Sequence, residues 1–446
     1  MAETVPASPF PMMTRIAKDR ETLAYRALVL FSYYYFIRPE DFIPGLAVIP
    51  LARIMGGLAL LALLVGPKSK AGQKVPPELK VLTLLLVQML FTIPFASWRG
   101  GAFDNVVNKF SKGVIVAYLI VFTLNKVSDL RKLLLIQVGT VALITVASVI
   151  IHKTQGDGRL MGIQKGILEN PNDLAINIAI NFPLALAFLI GEKGALSKIL
   201  WAGSMAVMLK AVVATYSRSG MVALAFTLLI CVWEFGLKGR RPMLLVTAVV
   251  VAVIGLGVML GTPHYLVRLE SLAFGNIQGA NDHGSLEGRK ELLMASLRIM
   301  AEHPFVGVGP GNFAGFSGFW QPAHNTYTGL GAETGLPGLF LFVLLMALSL
   351  RKTAAVRKLP GYAEHANIRL WASGLRAGLG AYMVGAMFAT TEYNLFPYFM
   401  VGYICVLYKI AGVSDKATDA KPLTLTQWNP RDTQDAAKQN EAVRMR

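Results

Sequence analysis

Twelve apolar stretches run along the chain, at about 24–37, 46–66, 79–95, 111–124, 130–151, 174–191, 198–216, 219–236, 243–262, 325–350, 372–390 and 395–410. Polar or Gly/Pro-bearing breaks separate them. Most approach the roughly 20 residues that a helix needs to cross a bilayer. Hydrocarbon offers the backbone no partner except its own helix, so each span must be α-helical. The pattern predicts an all-α polytopic membrane bundle of about twelve transmembrane helices. No internal repeat divides them into two related halves. The polar remainder is a cytoplasmic N-terminal segment (1–23), a long connection (263–323) between spans 24–262 and 324–410, and a disordered cytoplasmic tail (411–446).

Composition agrees. Apolar residues make up 54% of the chain and charged ones only 15%, against about a quarter in soluble domains. Mean hydropathy is +0.51. A net charge of +17 would suit a polyanion partner, so the placement of the basic residues decides. With the N-terminus inside, seventeen Lys and Arg fall in the inner connections, among them Lys68, Lys126, Lys238, Arg240, Arg241, Arg351 and Arg357; twelve fall outside. The positive-inside rule then puts both termini in the cytoplasm and removes nucleic acid as a partner. Arg15, Lys18, Arg20 and Arg26 flank the first span, which serves as its own insertion signal. Cys231 and Cys405 fall within spans and fit no disulfide. The six histidines have no metal-binding spacing, and Asp282, Glu287 and Glu291 are too scattered for Mg²⁺.

Polar chemistry collects on the outer side. In the long connection, Ser285–Glu302 reads as an amphipathic helix with Leu286, Leu293, Leu297 and Met300 at helical spacing and Arg289 among them. Pro304 stops it. Gly307, Gly309 and Gly311 follow in HPFVGVGPGNF, a tight return turn rather than a phosphate loop, since no strand precedes it. His324 opens the tenth span in HNTY. Its ordinary pKa near 6.5 suits a general base, and an interfacial histidine capping the helix with Asn325 fits equally. Arg218, in the short turn Tyr216–Gly220, suits bidentate phosphate recognition or a snorkelling arginine. Between Lys153 and Asp173, Arg159 adds a further cation, and Asn172 or Asp173 is placed to cap the next helix. Lys210 and Glu333 are charged residues at matched depth in the seventh and tenth spans, which predicts a structural ion pair between them.

These motifs together (NPND at Asn170–Asp173, SRSG at Ser217–Gly220, EGRKELL around Arg289, HPFVGVGPGNF and HNTYTGLGAETGLPG) resemble the O-antigen ligase and polymerase superfamily of bacterial membrane glycosyltransferases. The resemblance spans about residues 159–345. It implies a C-type glycosyltransferase bundle with one large periplasmic loop carrying short helices. The implied enzyme sits in the bacterial inner membrane and moves a glycan from undecaprenyl pyrophosphate to an acceptor such as lipid A-core at the periplasmic face. It implies Arg218, Arg289 and His324 as the catalytic core, Arg159 and Asn325 as weaker substrate contacts, and inverting transfer with no metal and no cofactor. A polymerase or a protein O-glycan ligase of the same superfamily uses the same chemistry on another acceptor. A secondary transporter, with Lys210 and Glu333 as coupling residues, is the alternative of a different class.

Overall fold

The computed structural model describes residues 11–43, 45–46, 51–65, 74–155, 158–163, 168–242 and 283–412. Among these residues there is no strand, only an isolated bridge between Thr154 and Leu160. The long helices are α1 (Pro11–Ile37), α2 (Leu51–Val65), α3 (Pro77–Thr92), α4 (Arg99–Thr123), α5 (Val127–Ile151), α6 (Pro171–Gly191), α7 (Ala195–Ala214), α8 (Arg218–Leu237), α9 (His283–Glu302), α10 (Thr326–Val356), α11 (Ala366–Gly385) and α12 (Phe396–Ala411). All but α9 fall on stretches expected from the hydropathy pattern. The ninth stretch (243–262), the start of the long connection (263–282) and the tail from 413 lie outside the described residues. Seven helices, α3 to α8 and α10, are long and apolar enough to cross a membrane. The chain is an all-α, multi-pass membrane protein.

Helix α6 is the centre. Its residues from Leu174 to Phe188 are all buried, as expected of a helix that is apolar on every side, and it packs against α5, α7, α8 and α11. The two amides inside it are satisfied locally: Asn177 and Asn181 each donate to the carbonyl four residues earlier, at 2.8 and 2.9 Å. Asn181 also accepts from Gln137 of α5 at 2.9 Å. Such an interhelical bond joins two spans without leaving a donor in hydrocarbon.

Helix α10 is broken. Gly335 has φ 73° and ψ 178°, which no α-helix contains, and Pro337 follows it. Proline has no N–H, so the helical bond it would give the Glu333 carbonyl cannot form. The loop after α9 replaces it: Gly309 N–H donates to the Glu333 carbonyl and Val308 N–H to that of Ala332, both at 2.9 Å. In return the Leu336 N–H donates to the Pro304 carbonyl at 2.7 Å. The Gln88 side chain of α3 closes the remainder, donating at 3.1 Å to the carbonyls of both Thr334 and Phe305. Two glycines permit the approach. A Cβ on Gly307 (φ 63°) would stand 2.3 Å from the Glu333 carbonyl carbon, and one on Gly335 would stand 2.5 Å from that of Phe305.

Helix α9 rests on the first part of α10. Leu292 and Ile299 are buried with Val308, Phe313, Ala323 and Ala332 in a small core of their own, while Leu297 is exposed. The buried line of α9 is therefore turned from the Leu293–Leu297–Met300 stripe read from the sequence. Gly331 sets this face, because a Cβ there would meet the Met300 sulfur at 2.4 Å.

Replacing Gln88 with leucine should leave two carbonyls at the break without a donor. The expected loss is about 1–3 kcal/mol, read as a lowered unfolding temperature of the detergent-purified protein.

Candidate active site

Three separate segments build the site. The first is the corner where α6 and α8 begin and α7 ends. Pro171 occupies the first position of α6, where its missing N–H costs nothing, so Asn170 becomes the cap and accepts the Asn172 N–H at 2.8 Å. The cap is thus Asn170, not the expected Asn172 or Asp173. This frees the Asn172 carboxamide oxygen, which accepts from Arg159 Nη2 at 2.8 Å and from Ser217 Oγ at 2.7 Å. Arg159 Nε also donates to the Thr215 carbonyl at 2.9 Å, and Leu160 N–H to that of Ala214 at 3.0 Å. Both bonds close the C-terminus of α7.

Ser217 caps α8, accepting the Gly220 N–H at 3.0 Å. Gly220 lets α8 lie against α6, since a Cβ on it would meet that of Ala175 at 2.2 Å. Ser217 and Gly220 of SRSG thereby have structural tasks. Arg218 is half-buried in the first turn of α8, where the helix dipole favours an anion.

The second segment is HNTY. Asn325 caps α10, its side-chain oxygen accepting from Tyr327 N–H at 2.9 Å and Thr328 N–H at 3.2 Å. Thr326 fastens the helix to the α11–α12 connection: its N–H donates to Ala386 O at 2.8 Å and its hydroxyl to Ala389 O at 2.7 Å, while it accepts the Thr391 N–H at 3.0 Å. Tyr327 donates to Met383 O at 2.8 Å. His324, just ahead, has a left-handed backbone (φ 52°) and donates its N–H to Thr390 Oγ1 at 3.1 Å. This conformation is uncommon for a side-chain-bearing residue, though histidine tolerates it better than most.

The third segment is α9, which carries Arg289. Its charge reaches both of the others. Burial and then the Arg289 charge hold the His324 imidazole below its ordinary value of 6.5. Burial and then Arg218 lower the Arg289 guanidinium in turn. Arg218, Arg289 and His324, from three distant parts of the sequence, thus share one electrostatic neighbourhood.

Residues 203–343 match the family model described as O-antigen ligase. Over that stretch the chain resembles the O-antigen ligase superfamily. No curated protein matches it. The match supports a membrane enzyme of the O-antigen ligase and polymerase kind.

The O-antigen ligase region also contains Lys210 and Glu333, which do not pair. Glu333 Oε2 accepts the Gly311 N–H and the Tyr393 hydroxyl, both at 2.7 Å, and Oε1 accepts the Phe313 N–H at 3.3 Å. The cation whose charge it feels is Lys109 of α4. Lys210 is exposed on α7. A matched depth requires a span running straight on to Arg218, but α7 ends at Ala214. Lys210 therefore sits four residues, about 6 Å, from the end of the helix, within snorkelling reach of the surface.

Arg159 and Asn325, expected to touch substrate, also have protein partners: the Arg159 guanidinium bridges Thr215 and Asn172, and the Asn325 oxygen accepts in the α10 cap. Sequence reasoning passed over Thr326, Thr390 and Tyr393, whose partners lie some sixty residues away. It also passed over Glu392, buried beside this group. Burial first, and then the Glu333 charge, push the Glu392 carboxyl above the usual carboxylate range.

A cation beside an imidazole disfavours the imidazolium, so His324 loses its proton at lower pH than a free histidine. Arg289→Ala should therefore raise its midpoint. Diethyl pyrocarbonate, which attacks the neutral ring, measures this when modification of the His324 peptide is followed against pH.

Proposed function

We propose that this protein is an O-antigen ligase-like transferase of the bacterial inner membrane. It moves a glycan from undecaprenyl pyrophosphate to an acceptor hydroxyl on lipid A-core or a similar glycan. The observation that carries this reading is the grouping of Arg218, Arg289 and a His324 held neutral at pH 7. With both termini cytoplasmic, this pole of the bundle faces the periplasm, where the finished donor is presented.

The reaction breaks the bond between the anomeric carbon and the pyrophosphate oxygen. Negative charge grows on the leaving group, and Arg218, Arg289 and the α8 N-terminus stand ready to stabilise it. His324 takes the proton of the acceptor hydroxyl as its oxygen attacks from the opposite face, which inverts the anomeric centre. The products are the new glycoside, undecaprenyl pyrophosphate and an imidazolium that returns its proton to water. The arginines supply the positive charge that a divalent ion provides elsewhere, so transfer proceeds without one.

Transfer between purified donor and acceptor tests this directly. His324→Ala should cost about 10²–10⁴-fold, the usual range for a general base. Arg218→Ala or Arg289→Ala should cost about 10²–10³-fold each. Excess EDTA should change nothing. A His324→Ala variant at the wild-type rate would sink the mechanism. In a deletion strain, long chains left on the carrier identify a ligase, whereas single repeat units on the acceptor identify a polymerase.

A further inference from the structure

Glu333 makes more contacts with the glycine-rich loop than α10 needs for its own repair. The break is already closed by backbone bonds from Val308 and Gly309 and by Gln88. The Glu333 carboxylate then adds Gly311 N–H, Phe313 N–H and the Tyr393 hydroxyl. It is 6% exposed, so these donors replace water that it lacks. A carboxylate accepting several N–H and O–H donors is among the stronger polar anchors a protein can build.

The anchored loop is the direct continuation of α9. His303 N–H still donates to Ile299 O at 2.9 Å, and Gly307 N–H to His303 O at 3.0 Å, so little slack separates helix from loop. Met300 lies against Gly331, near Glu333, while Arg289 lies at the other end of α9, where its charge reaches His324. Helix α9 and the first part of α10 therefore run side by side in the same direction, like two arms joined at Glu333. The α10 arm is fixed at its tip by Thr326 and Tyr327. What Glu333 sets is the position of the α9 arm.

We propose that Glu333 is a positioning residue for the transfer site, gripping the loop between His303 and Phe313 so that Arg289 is held against His324. This rests on the transferase reading for its importance to activity, but the positioning itself has a readout of its own. The charged groups that face His324 are Arg289 from α9 and, through it, Arg218 from the start of α8. If the grip on α9 loosens, Arg289 withdraws and the imidazole recovers protons.

Glu333→Gln keeps the size of the side chain but turns an N–H₂ toward donors that need acceptors. In purified full-length protein, the His324 modification midpoint should rise toward that of the Arg289→Ala variant. Well below the midpoint the rate should fall about threefold, since imidazole loses reactivity tenfold per pH unit of upward displacement. The double variant Glu333→Gln/Arg289→Ala should show no rise beyond Arg289→Ala alone, because Arg289 is the only route. A merely structural anchor would lower the unfolding temperature and leave the midpoint where it is. Tyr393→Phe, which removes one of the three donors, should move the midpoint the same way by less and serves if Glu333→Gln does not fold. An unmoved midpoint in the folded variant overturns the proposal whatever the activity. A raised midpoint supports it even if His324→Ala keeps transfer, in which case the transferase reading alone falls.

Discussion

The missing N–H of Pro337 organises this pole of the molecule. A helix cannot continue through it without abandoning the Glu333 carbonyl, and apolar surroundings offer no water to take that carbonyl. The chain answers with another stretch of its own backbone. Residues between Pro304 and Phe313 exchange hydrogen bonds with the break in both directions, and glycine at Gly307 and Gly335 removes the side chains that would keep the two strands of backbone apart. Once that loop is committed to the break, the helix before it has a fixed origin. The arginine on that helix then has a fixed reach.

A second constraint is electrostatic. Beyond the effect of burial, the Arg218 charge weakens the hold of Arg289 on its proton, and the Arg289 charge that of His324. On the proposed transferase reading, a bound pyrophosphate would relieve this. Its negative charge would screen Arg289 from His324, making the imidazole a stronger base with the donor in place than without it.

Much of this was legible in the sequence because hydrocarbon makes demands that apolar runs express directly. The stretches marked nearly every described helix, and the outer arginines and histidine stood out as charges at the rim of apolar spans. What the sequence could not express was pairing across long separations. Asn170 rather than Asn172 caps α6, because proline at the first position decides where the helix begins. Glu333 looked like a lone buried charge since two of its partners are backbone N–H groups, which leave no trace in residue type, and the third is the hydroxyl of Tyr393, sixty residues away. Lys210 looked deep only because a turn of three residues was counted as helix. The apolar line on α9 was misjudged by part of a turn, since its true position depends on Gly331 of another helix.

The break in α10 also decides where the chemistry takes place relative to the lipid. Unbroken, its 31 residues would measure about 46 Å at 1.5 Å per residue, well beyond the ~30 Å of bilayer hydrocarbon. The portion from Leu336 to Val356, about 31 Å by the same rule, fits that thickness without help. With that portion spanning the hydrocarbon, the turns ahead of Gly335, with His324 at their tip, would extend beyond the acyl chains. On the proposed reading, a lipid-borne phosphate and a sugar hydroxyl dissolved in water would meet there, each without leaving its own solvent.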